Sequence, residues 1–356
     1  MNKMLIYWQT QPRVMRGIVE NRGSLTRAFV EAMKSVNPDR LYLVGSGTSR
    51  NASYAAVGFM QKVLKREVTV VTPSDLPPIY AKNPMMVYLS QGGSSTNTLE
   101  AMERLSQYPY VSITGETDCE ISKRSRWHML IGCGQELVGP KTVGYTASVM
   151  CLYVCALESA LALGLLESGQ YGAHVERLLR ACDDMEKNVQ TVKAWFDQRQ
   201  DMFSAIGKYA LVGNGVAGLT LAEGALKILE TIKVPTLAFE FEEYLHGPIL
   251  ITDEGLCGIF ALSGEAEQRR RIEKLYQTHG EYSRYAIAMA AAGCAPQGEH
   301  VLSLQMSGEP ETEPFEFVLL PQLLAACVPA LMGLEEGNEI YDVYTGKCPT
   351  KFNNGR

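Results

Sequence analysis

The chain predicts an α/β protein made of two related domains in tandem, each a parallel sheet covered by helices on both faces. Three observations carry this. Leu43-Val44-Gly45-Ser46-Gly47 and Leu211-Val212-Gly213-Asn214-Gly215 are near-copies, each a short apolar run ending in Gly-x-Gly ahead of a helical stretch. Strand-type runs alternate with helical stretches through both halves, the alternation that joins parallel strands by crossover helices. At 356 residues, with 46% hydrophobic and 20% charged residues, the chain can build two cores of ordinary size.

Taken in order, residues 1–35 read as a helical segment packing on one domain, and 36–170 as the first domain. Within it, Val68-Thr69-Val70-Val71 and Met86-Val87-Tyr88-Leu89 are runs of strand-forming residues, the second leading into turn-rich Ser90 to Thr98. Ala147 to Leu166 is long, apolar and free of breakers, and 172–200 is charged and amphipathic, so the join between domains, near 165–190, is expected to be helical. The second domain spans 185–335 and contains Leu256 to Leu262 followed by Ser263-Gly264-Glu265. After Gly337 the segment holding Tyr341, Asp342, Tyr344, Lys347, Pro349 and Lys351 reads as polar and irregular, a tail over 336–356 near the active site.

Composition narrows the function classes. A formal charge of −6, with 33 basic against 39 acidic residues, argues against nucleic acid as the main partner, because phosphate-backbone binding draws on concentrated Lys and Arg. No apolar run reads as long enough for a membrane span, and the N-terminal MNKMLIYWQTQPRVMRG turns polar too soon for a signal peptide, so a cytoplasmic protein is expected. The nine cysteines form no Cys-x-x-Cys pair and no cluster with zinc spacing; they are expected to be reduced, with no metal and no cofactor.

Gly45-Ser46-Gly47-Thr48-Ser49 follows a strand and opens a helix, which offers backbone N–H groups, the positive end of a helix dipole and hydroxyls facing one point. Ser90-Gln91-Gly92-Gly93-Ser94-Ser95-Thr96-Asn97-Thr98 repeats those ingredients after the next clear strand. Either loop alone is as well explained by turns and caps. Two loops beyond neighbouring strands suit one small anion, and without a Gly-Lys-Ser/Thr a single phosphate fits better than a nucleotide.

The second half supplies different chemistry. Glu223, Lys227 and Glu230 stand four and three residues apart, which puts two carboxylates beside one ammonium on a single helical face. Leu221, Ala225, Leu226, Ile228 and Leu229 around them predict a largely buried helix. Such a row is either a structural ion-pair network or a set of groups for moving protons. His246, before Gly247-Pro248 in a loop, is the histidine with a chemical setting; His128, His174, His279 and His300 read as surface or structural.

These segments resemble the sugar isomerase (SIS) domain family in its two-copy form, as in the isomerase part of glucosamine-6-phosphate synthase and in deglycases of fructosamine 6-phosphates (Amadori products). The resemblance covers nearly the whole chain: Gln11-Pro12, Gly45–Ser49, Ser90–Thr98, Gly134-Gln135-Glu136 through Thr146, Glu223 to Glu230, and His246-Gly247-Pro248. It implies two SIS domains, each a flavodoxin-like or Rossmann-like three-layer sandwich. It further implies that Gly47, Thr48, Ser49, Ser90, Gln91, Gly92 and Ser95 bind a sugar phosphate, that Glu230 moves a proton between C1 and C2, and that His246 opens the ring. Glu223 and Lys227 match a pair beside that base, and Glu136, Thr142, Lys347 and Lys351 are possible substrate contacts. A homodimer is implied, with the histidine of one subunit serving the other.

Four departures qualify it. Gly92 stands where the family has a hydroxyl, and Asn97 where it has an acid. The C-terminal Asp342-Val-Tyr-Thr-Gly-Lys347-Cys-Pro-Thr-Lys351 replaces an Arg-Asn-Leu-x-Lys segment. Met1-Asn2 supplies no cysteine nucleophile, so a glutamine-dependent synthase is not expected. The expected activity is therefore a deglycase or deaminase releasing hexose 6-phosphate and an amine. Aldose–ketose isomerisation and ammonia-dependent amination would use the same base, and a non-catalytic sugar-phosphate sensor would need neither Glu230 nor His246.

Overall fold

The computed structural model describes residues 2–334 and 339–352. Two compact units emerge, and their boundaries are not colinear. One comprises Arg13–Leu137, Val143–Leu179 and Glu336–Arg356; the other comprises Met1–Pro12, Val138–Thr142 and Arg180–Glu335.

The first unit holds a parallel sheet of β1 (Arg40–Val44), β2 (Glu67–Val71), β3 (Pro84–Ser90), β4 (Tyr110–Thr114) and β5 (Trp127–Leu130), in spatial order β2-β1-β3-β4-β5. Leu41 of β1 sits opposite both Val68 and Met85. All seven residues of β3 are buried, as a central parallel strand covered on both faces requires. The helix Thr48–Leu64 carries the chain from β1 back to β2 and packs on the helix Val143–Ala162.

The other unit repeats this plan. β6 (Lys208–Gly213), β7 (Thr236–Glu240), β8 (Leu256–Leu262), β9 (Ala286–Ala291) and β10 (Val301–Leu304) form a parallel sheet that reads β7-β6-β8-β9-β10, the same order as the first. In each sheet the direction of winding reverses next to the first strand, between β1 and β3 and between β6 and β8. Parallel sheets bind ligands outside the carboxyl ends of strands at such a reversal. The paired Gly-x-Gly turns lie there, and in each the second glycine has a left-handed φ: +55° at Gly47 and +49° at Gly215.

The structure changes four expectations. Residues 1–35 do not pack on one domain: Met1–Pro12 go with the β6 sheet, where the buried Trp8 donates its indole N–H to the Leu319 carbonyl at 3.0 Å. The segment read as irregular contains a helix, Glu339–Lys347, with Glu339 and Asp342 in its first turn and Lys347 in its last, charges that complement the helix dipole. Of that tail, 336–338 and 353–356 lie outside the described residues. Two helices, Val143–Ala162 and Glu313–Leu331, are long and apolar enough to cross a membrane, contrary to the sequence reading, although 83% and 78% of their apolar windows are buried inside the fold. Finally, the helix Gly215–Ile232 is buried over Glu223–Ala225, but Leu229 and Glu230 are exposed.

Candidate active site

In the first unit a short chain of hydrogen bonds joins the two hydroxyl-rich loops. The Asn97 amide donates to Ser46 Oγ at 2.9 Å, and its carbonyl accepts from Ser95 Oγ at 2.8 Å. An amide can do both, whereas an ionised carboxylate at this position could only accept. The departure at Asn97 thus ties the β1 loop to the β3 loop. Ser49 and Ser90 are buried where the strands end, while Gly47 and Gly92 are exposed.

Gln91 follows β3 directly. Its backbone carbonyl accepts from Gly115 N at 2.8 Å, and its side-chain Nε2 is buried with no hydrogen-bond partner among the described residues. Buried donors are rarely left so. Glu136 is buried with one carboxylate oxygen accepting the N–H of Gly144 at 2.9 Å, a cap on the first turn of the helix Val143–Ala162. Thr142 belongs to the other unit; it is fully buried, and its carbonyl accepts from Gln322 at 3.2 Å.

The tail reaches the same loop. Thr96 N donates to the Thr350 carbonyl at 3.1 Å, Phe352 N donates to the Ser94 carbonyl at 2.7 Å, and Ser95 and Lys351 form an antiparallel bridge. Lys351 therefore stands opposite Ser95 in a β-like pairing, whereas Lys347 ends the preceding helix and is exposed. Sequence reasoning passed over Arg50, in the first turn after Ser49. Its guanidinium lies 5.0 Å from the Tyr54 ring, with Nε buried and without a hydrogen-bond partner among the described residues.

In the second unit the predicted row forms as spaced. Lys227 is almost fully buried, with Nζ 2.6 Å from Glu230 Oε2 and 3.5 Å from Glu223 Oε1. Burial alone would push this ammonium down. Glu223 and Glu230 outweigh it and hold the Lys227 pKa above its usual value, so the group stays charged. Glu223 is wholly buried, while the Glu230 side chain is 36% exposed. One carboxylate thus anchors the ammonium from inside, and the other faces outward with a cation at its back.

His246 is the exposed C-cap of the short helix Phe241–Leu245 and makes no hydrogen bond or ion pair with that row among the described residues. His279, by contrast, is buried against the Leu256 carbonyl at 3.1 Å, a structural role. The β6 turn also differs from its β1 counterpart. Asn214 accepts from Ser263 Oγ at 2.6 Å, and the buried carboxyl of Glu313 lies near enough to the N–H of Ala217, in the first turn of the helix, for that N–H to pull its pKa down. All nine cysteines are free, and the described residues contain no group of three side chains able to hold a metal ion.

No family model matches the chain. A glutamine–fructose-6-phosphate aminotransferase of Streptococcus agalactiae is 23% identical over 334 residues, which cover 91% of this chain and 55% of that protein. The chain thus spans about half the length of the curated relatives it matches. A candidate phosphosugar isomerase of Clostridium difficile superposes with a TM-score of 0.90 at 23% identity, covering 99% of this chain and all of that one. The chain has the two-sheet α/β fold of these phosphosugar-isomerase structures. A glucosamine-6-phosphate deaminase of Thermotoga maritima has the same SIS fold, with a TM-score of 0.73 at 18% identity over 94% of this chain and 96% of its own. At such identities the solved structures establish the fold alone, a fold that includes the repeated strand order and the two switch points.

Proposed function

We propose that this chain is an enzyme acting on a phosphorylated amino sugar or fructosamine 6-phosphate, releasing a hexose 6-phosphate and an amine. The observation that carries the reading is Lys227 buried between Glu223 and the half-exposed Glu230 on one helix. The hydroxyl loops tied by Asn97 take the phosphate. The exposed His246 passes a proton to the ring oxygen as the ring opens. Glu230 then takes the proton from one of C1 and C2 and returns it to the other, while the carbonyl oxygen freed by ring opening gains a proton and the amine nitrogen gives one up, leaving a carbon–nitrogen double bond. Water adds to that bond, the amine departs, and a carbonyl remains. The Lys227 ammonium at 2.6 Å holds the Glu230 carboxylate in place to accept the proton.

The relatives' names give coarser support: one is an isomerising aminotransferase named for fructose 6-phosphate and another a deaminase named for glucosamine 6-phosphate. The reading includes a homodimer in which His246 serves the neighbouring subunit. Incubation with a panel of fructosamine and glucosamine 6-phosphates tests it, with hexose 6-phosphate and free amine measured together. Conversion of fructose 6-phosphate to an aldose without amine release would make it an isomerase. Tight binding without turnover on any member would make it a sensor.

A further inference from the structure

We infer that Gly144 is a positioning residue, whose missing side chain is the space that holds the Gln91 carboxamide against the substrate. This rests on the reading of the β3 loop as a phosphosugar site.

A Cβ built on Gly144 would lie well under 3 Å from Nε2, Cδ and Oε1 of Gln91 alike. The helix cannot yield to make room. Glu136 holds the N–H of Gly144 at 2.9 Å, Ser148 donates to its carbonyl at 2.6 Å, and the helix Val143–Ala162 is buried along most of its length. The Gln91 backbone is equally confined, because Gly115 donates to its carbonyl at 2.8 Å and a Cβ on Gly115 would meet that same oxygen at 2.8 Å. The free end of the Gln91 side chain is the part that would move.

Nothing in the backbone asks for glycine at this position. Gly144 is not among the residues with left-handed φ, and in a helix glycine is less favourable than alanine. Its presence is explained by what a side chain there would displace. What is held is itself telling: a buried amide donor with no acceptor among the described residues. Such a donor suits a ligand rich in acceptor oxygens, which a sugar phosphate is.

The test is a double-mutant cycle of G144A and Q91A, read by calorimetric titration with glucose 6-phosphate and by crystal structures of wild type and G144A. G144A should fold with an unchanged or higher melting temperature and show the Gln91 carboxamide displaced. Its affinity should fall to that of Q91A, about tenfold below wild type, the scale of one lost hydrogen bond. The double variant should bind no more weakly than Q91A. Weakened binding in Q91A but not in G144A, or Gln91 unmoved in G144A, overturns the inference while leaving the site in place. Wild-type affinity in Q91A removes Gln91 from the ligand and overturns the phosphate-site reading itself. If G144A fails to fold, the double variant decides: recovered folding supports the clash with Gln91, and continued failure overturns it.

Discussion

Lys227 Nζ stands 2.6 Å from Glu230 Oε2, a buried ammonium meeting a carboxylate that is still one-third in solvent. The two ends of this pair should respond differently to mutation. Glu230→Gln keeps a hydrogen-bonding partner for Lys227, so the fold should survive while turnover falls by about a hundred- to ten-thousand-fold, the usual worth of a positioned acid–base group. Lys227→Met leaves Glu223 buried without its cation and should cost about 3–5 kcal/mol of stability. Urea unfolding and rate measurements on both variants check this. Near-normal turnover in Glu230→Gln would remove it as the base.

Asn97→Ala breaks both hydrogen bonds that join Ser46 to Ser95. KM for the phosphorylated substrate should rise about tenfold with kcat little changed, since each bond is worth about 1 kcal/mol and acts on binding. Asn97→Asp could accept from both serine hydroxyls and so keep the tie, but it should do no better because it adds negative charge beside the phosphate. An unaltered KM in both variants would show that the tie has no part in binding.

Gly224 lies on the helix that carries Glu223, against the helix Leu319–Leu331. A Cβ there would approach Pro321 Cβ to 2.6 Å and Cγ to 2.8 Å, and a proline ring has little freedom to move aside. Gly224→Ala should therefore destabilise by about 1–3 kcal/mol, despite alanine's better helix propensity. A stabilised variant in thermal unfolding would mean that these helices can separate.

Burial, reinforced by Glu316, pushes the Glu313 carboxyl up to about 8, against the pull of the Ala217 N–H; burial likewise pushes Glu316 to about 7. The ordinary value is 4.5. Between 4.5 and about 8 the folded protein thus retains protons that the unfolded chain has released, so these groups make stability fall as pH rises through that window and level off above it. Melting temperatures from pH 5 to 9 should decline more steeply in wild type than in Glu313→Gln. Parallel curves would show that Glu313 is already ionised near neutrality.

Much of this architecture is legible in the amino-acid sequence. The Gly-x-Gly turns mark both switch points because left-handed φ at Gly47 and Gly215 leaves glycine as the ready choice. The Glu223–Lys227–Glu230 row is legible because helical spacing is a local property. What stays hidden depends on residues distant in sequence. The place of Gly144 requires Gln91, 53 positions earlier, to arrive at the same point. The helix at Glu339–Lys347 is obscured by a polar, tyrosine-rich composition with no buried stripe to give it a period. β9, Ala286–Ala291, is four-sixths alanine, a residue with little preference for strands, and its sheet position comes from burial.

The Glu313 carboxyl beside the Ala217 N–H sets the β6 turn apart from its β1 counterpart. The β6 turn has the backbone shape of its β1 counterpart, yet the chain places its own carboxyl beside the helix that follows. A carboxyl already seated there competes with any incoming phosphate and repels it once ionised. Equilibrium dialysis against a labelled sugar phosphate should count one molecule per chain rather than two, the β6 turn being already occupied from within.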